Sequence, residues 1–134
     1  MTHASALDTV LAGGLSDDLL AISRRAIAAE LYETAYHALA GALHGALAAG
    51  DATRLRAVGV EALEQQAAVN AAAPGHRLSR HWGRGDGDER TGWFDALAVR
   101  ADAALVRQRG DAAMVRSAAA RGGRRPYVAR RPDA

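Results

Sequence analysis

The stretch APGHRLSRHWGRGDGDERTGW, residues 73 to 93, concentrates the groups of widest chemistry: two His, four Arg, three acids, two Trp and five Gly, with neither a helical nor a strand period. Arg77, Arg80, Arg84, Arg90 and His81 precede a helix that the sequence predicts after Thr91. The unpaired N–H groups and dipole of a helix N-terminus favour an anion, so these cations mark a place for phosphate or a carboxylate-bearing partner. Trp82 and Trp93 flank the loop, and an indole suits pinning it to helices because it buries a large area. A second group lies upstream. Glu30, Glu33, His37 and His44 fall on one side of a predicted helix; Glu33 and His37, four apart, could share a metal ion, with Glu61 and Glu64 adding carboxylates from the next helix. The same residues lie well away from the Tyr32–Leu39–Leu43 stripe on a helical wheel, which equally suits a solvated polar face.

Several sharper readings fail on spacing. GRGDG neither follows a strand nor has the form of a phosphate-binding glycine loop, and DGDE carries too few carboxylates for a calcium loop. His76 and His81 are two zinc ligands in want of a third. Ser79, His81 and Asp86 are the types of a hydrolytic triad, but neighbours in a loop supply no geometry. Arg77 and His81 are separated by three residues, short of the four to six expected of a helical nuclease of the HEPN type. No motif for a cofactor is present, so none is expected, and the sequence leans away from an enzyme.

The elements that must position these groups are helical throughout. Asp8 to Leu11 reads as a turn or two stopped by Gly13–Gly14, with Ser16 as the N-cap of the first long helix and Asp17 and Asp18 at its positive end. Tyr32, Tyr36, Leu39, Leu43 and Leu47 recur at steps of three and four, the stripe of an amphipathic helix, and a break near Ala29 to Leu31 divides residues 17–47 into two. Asp51 caps a third helix with Leu55, Val58, Ala62, Gln66 and Val69 along one side, ending before Pro74–Gly75. Thr91 caps a fourth, buried through Phe94, Leu97, Ala101, Ala104 and Leu105 until Gly110; a short last helix runs from Ala112 to Arg121. The prediction is an all-α chain, a small antiparallel helical bundle or stacked helical hairpins with one long loop at about 73–92. Residues 1–121 form one helical domain and residues 122–134 a flexible basic tail.

LYETAYHALAGAL, residues 31–43, resembles the second helix of a tetratricopeptide-type hairpin, with Tyr32 at the turn, acidic Glu33, small Ala35 where the helices approach, and Ala42–Leu43. The likeness covers about one hairpin, residues 19–50; position 66, one repeat length on, holds Gln, and no second copy is visible. It implies a helical-hairpin scaffold of the kind that binds peptides or proteins.

Composition bounds the rest. Of 134 residues, 34 are Ala, while Leu, Ile, Val and Phe make up only about a fifth, so the core must be built from close Ala faces or completed by a partner chain. All 17 basic residues are Arg, so an Arg here is not by itself a sign of selected guanidinium chemistry. There is no Cys, no basic leader and no apolar run of about 20 residues, which leads to the expectation of a cytoplasmic protein without a membrane span. Residues 1–72 hold 4 Arg and 8 acids, residues 73–134 hold 13 Arg and 7 acids. The basic C-terminal half, with Arg124, Arg125, Arg130 and Arg131 in its tail, suits nucleic acid phosphates or an acidic protein surface. The expected function is a non-enzymatic helical interaction or adaptor protein, contacting a protein, a second copy of itself or an anionic partner through the loop and tail. Nucleic-acid binding, and metal binding or hydrolysis through Glu33, His37 and His44, are the alternatives.

Overall fold

The computed structural model describes residues 5–83 and 90–123 as four helices: α1 (Ala6–Ala28), α2 (Tyr32–Ala49), α3 (Ala52–Ala72) and α4 (Trp93–Gly123). Among the described residues there is no strand, and no helix is long and apolar enough to cross a membrane. Arg84 and the tail arginines Arg124, Arg125, Arg130 and Arg131 lie outside the described residues.

α1 starts earlier than its sequence predicts. Ser5 caps it reciprocally: its hydroxyl accepts from the Asp8 N–H at 3.1 Å, and the Asp8 carboxylate accepts from the Ser5 N–H at 3.2 Å. The helix runs through Gly13–Gly14, because two helical glycines cost only about 1 kcal/mol each and tertiary contacts outweigh that. Gly13 lies under the Arg54 guanidinium, where a Cβ would stand 2.7 Å from Nη1. Ser16, expected as a cap, is instead buried mid-helix.

The break at Ala29 to Leu31 is present and has the hydrogen bonds of a Schellman turn: the Leu31 N–H donates to Ala26 O at 2.9 Å and the Glu30 N–H to Ile27 O at 3.1 Å. Such a turn needs a left-handed residue, and Glu30 fills that position with φ 59. An L side chain there costs roughly 1 kcal/mol. Glu30→Gly is therefore expected to raise stability by up to about 1 kcal/mol, read as a higher denaturation midpoint with an unchanged slope.

α1 and α2 pack through small residues. Ser16 and Ser23, seven apart, donate to Ala42 O and Ala35 O, also seven apart, each at 2.7 Å, as two antiparallel helices in close contact require. Gly45 allows that approach, since a Cβ on it would lie 2.8 Å from Ala12 O. Behind this seam Leu39, Leu43, Leu55, Val58, Leu78, Phe94 and Leu97 fill the core together with Ala35, Ala42, Ala46 and Ala62. α3 begins at the Asp51 cap, whose carboxylate accepts from the Arg54 N–H at 3.1 Å, as its sequence predicts.

α4 also departs from expectation. It continues through Gly110 and Asp111 as a single helix of 31 residues, about 46 Å long. Around Gly110 every residue from 109 to 122 is exposed, so no packing turns the chain aside, and one glycine among good helix formers does not end a helix.

Candidate functional site

The site is built where the 73–92 loop meets α3 and α4, and its centre is a polar cluster. Gln66 is fully buried and uses its whole amide: Oε1 accepts from the Phe94 and Asp95 N–H groups at 3.1 and 3.2 Å, while Nε2 donates to Leu78 O at 2.9 Å and Asn70 Oδ1 at 3.0 Å. Asn70 Oδ1 also accepts from the Arg80 N–H at 2.9 Å. Arg80 grips Asp95 with two bonds of 2.6 Å, and Asp95 additionally accepts from the Gly92 N–H at 2.8 Å. Among the described residues no buried side-chain polar atom lacks a partner. Gly92 is required by this arrangement, because a Cβ on it would overlap the Gln66 amide, which its own hydrogen bonds hold in place.

Electrostatics follow from that geometry. Burial pushes the Asp95 carboxyl up, but the Arg80 hydrogen bonds and the Gly92 amide outweigh it, leaving the group below the usual carboxylate range. Glu33 is likewise lowered, first by its hydrogen bond from Arg77 at 2.8 Å. At the other end of the bundle the Arg54 hydrogen bonds lower Asp17, and Arg54, held between Asp17 and Asp51, is raised beyond its ordinary value.

Of the cations predicted to meet at the start of α4, Arg77, Arg80 and Arg90 do lie around the loop, each engaged within the chain. Arg77 pairs with Glu33 and stands 5.7 Å from the Trp93 ring centroid; Arg90 lies 4.9 Å over Trp82. His81 is exposed, its N–H on the Ser79 hydroxyl. Of the N–H groups at the start of α4, read as an anion site, those of Phe94 and Asp95 are taken by Gln66 and that of Gly92 by Asp95. The long range of the pairing hid this: Gln66 and Phe94 are 28 residues apart.

The candidate metal ligands Glu33, His37 and His44 each have another neighbour. Glu33 turns to Arg77, His37 stacks edge-on against Tyr36, and His44 lies near Arg100 of α4, 3.4 Å from its guanidinium. Glu61 turns toward α1, accepting from Arg24 at 3.0 Å and from Gln65 at 3.0 Å. Among the described residues no three His, Asp or Glu assemble as metal ligands.

A surface that sequence spacing does not show emerges beside the polar centre. Tyr36 meets Trp93 and Phe94 edge-on at 5.7 and 5.6 Å, and Tyr32 meets His76 at 5.2 Å. Five of the chain's six aromatic residues thus gather from the loop (Trp82), the start of α4 (Trp93, Phe94) and the start of α2 (Tyr32, Tyr36). Trp82 and Trp93 remain 46% and 47% exposed, which leaves half of each indole for contact. No family model, curated protein or solved structure matches this chain.

Proposed function

We propose that this chain is a non-enzymatic interaction protein that docks a protein partner on the aromatic and arginine-rich face formed by the start of α2, residues 76–83 and 90–92, and the start of α4. The observation that carries this reading is the pair of half-exposed indoles with guanidinium groups over their rings, Arg77 on Trp93 and Arg90 on Trp82. Trp, Tyr and Arg dominate binding energy at protein interfaces because they bury much area and lose little entropy once already held. Here the polar cluster beneath supplies that holding.

The test is photo-crosslinking in the source cells with a photoreactive residue at position 82 or 93, and at the exposed Ala68 of α3 as the control. A discrete adduct from both loop positions, absent from the control and lost on Arg77→Ala, is the expected result. Adducts no stronger than the control would refute it.

One observation favours a second reading, nucleic-acid binding: the outer half of α4 carries Arg107, Arg109, Arg116 and Arg121 against a single acid, Asp111. That reading requires affinity for a DNA or RNA duplex that falls steeply with added salt, and no binding at low salt would end it.

A further inference from the structure

α4 is longer than the bundle that supports it. It runs antiparallel to α3: Gln66 meets Phe94, Gly59 faces Ala101, and Ala52, the first residue of α3, lines one hollow with Gln108 and Ala112. Beyond Gln108 α3 has no residue left to cover it, and residues 109–123 project by about 22 Å. The buried stripe of α4 nevertheless continues into the projection. Leu97, Ala101, Ala104 and Gln108 are followed at steps of four, three and four by Ala112, Val115 and Ala119, with Val115 68% and neighbouring Met114 70% exposed. A helical segment this short is marginal in water without a packed face.

α1 carries the matching feature. Besides the side packed on α2, it presents a second apolar stripe, Leu7, Leu11, Leu15 and Ile22, exposed by 75%, 59%, 50% and 44%. This stripe begins at the same end of the bundle, since α1 antiparallels α2 and Asp17 meets Arg54 near the start of α3. The charges complement one another. α1 has Asp8 and Asp18, besides Asp17 already held by Arg54, and no cation before Arg24, whereas the projection and its base hold Arg107, Arg109, Arg116 and Arg121 against Asp111. Two projecting α4 segments paired with each other would instead set arginines against arginines.

We infer that the occupant of both faces is a second copy of this chain, the projecting part of each α4 lying along α1 of the other in a reciprocal two-fold dimer. The arrangement closes on itself. α1 and α4 sit on opposite sides of the α2–α3 pair and do not touch, so a two-fold axis across that end carries each projecting helix to the side of its partner where α1 lies. The lengths agree as well: the 109–123 projection and the Leu7 to Ile22 stripe each span about four turns. This surface is separate from the loop face, and either can exist without the other.

Sedimentation of the full chain is expected to give twice the 14.0 kDa monomer mass, and Val115→Glu or Leu11→Glu to return it to a monomer that still unfolds cooperatively, any loss of helical circular dichroism being confined to the share of the projecting segment 109–123. Because the chain contains no Cys, paired thiols report the neighbours directly. Leu15→Cys mixed with Val115→Cys should give a dimer band with a short bismaleimide, while neither variant alone does so. A monomeric mass at high concentration overturns the inference. So does crosslinking of Val115→Cys by itself in the absence of the mixed product, which would indicate α4 on α4.

Discussion

Replacing Gln66 by leucine is expected to cost about 4 kcal/mol of folding stability, among the largest effects of any single substitution in this chain. Leucine fills similar space and keeps the position apolar, so no cavity term enters. It strands the Phe94 and Asp95 N–H groups and the Leu78 carbonyl, all now served by one amide. A buried backbone group left without a partner costs roughly 1–3 kcal/mol, and a small domain holds only about 5–15 kcal/mol in total. Urea unfolding would measure the loss as a lower midpoint. Amide exchange would localise it, with protection falling at residues 78–82 and at the start of α4 before the α1–α2 hairpin is affected. A loss under about 1 kcal/mol would mean that water or a shifted loop takes over these groups.

Arg80→Ala is expected to cost about 2–3 kcal/mol at neutral pH, near the lower end for a broken buried ion pair because Arg80 is partly exposed. Its pH dependence is the more telling signature. In the native chain the Asp95 carboxyl lies below its ordinary value, so its contribution is present above the unfolded value of about 4 and is lost as pH falls through the folded one. Without Arg80 the burial of Asp95 dominates, and the folded carboxyl moves above its unfolded value. Its contribution is then complete at acid pH and lost as pH rises. The gap between native and variant should therefore be widest at neutral pH and close below about pH 4. Unfolding curves at pH 7 and pH 3 would check this; a gap that stays constant would show that Arg80 acts by packing its stem, with no part for its charge.

The helices were legible wherever a stripe of large apolar residues met a strong cap. The run Leu55, Val58, Ala62, Gln66 and Val69, placed by spacing alone, is buried throughout, and Asp51 caps its helix. The sequence misled where glycine alone set a boundary. Gly13 stays within a helix where the Arg54 guanidinium leaves no room for a Cβ, and Gly110 within one where nothing crowds it at all. The loop could be located but not interpreted. Its arginines read as free cations, yet Arg77 and Arg80 find carboxylates 44 and 15 residues away, distances at which no local pattern operates. The aromatic face went unread for the same reason, since its members come from three separate segments and share no period.

The serine pair on α1 bears on how this fold avoids a particular error. A hairpin closed by alanine and glycine faces is smooth, and sliding one helix by a turn, about 5.4 Å, would exchange one methyl for another at little cost. Ser16 and Ser23 remove that freedom, because a slide breaks both bonds to Ala42 O and Ala35 O together in a buried seam. Ser23 also accepts from Gln65 of α3 at 2.8 Å, so one of the two hydroxyls that index α1 against α2 also indexes the hairpin against the next helix. Alanine-rich chains are easily packed in several ways; this one carries a vernier of two marks that admits a single alignment.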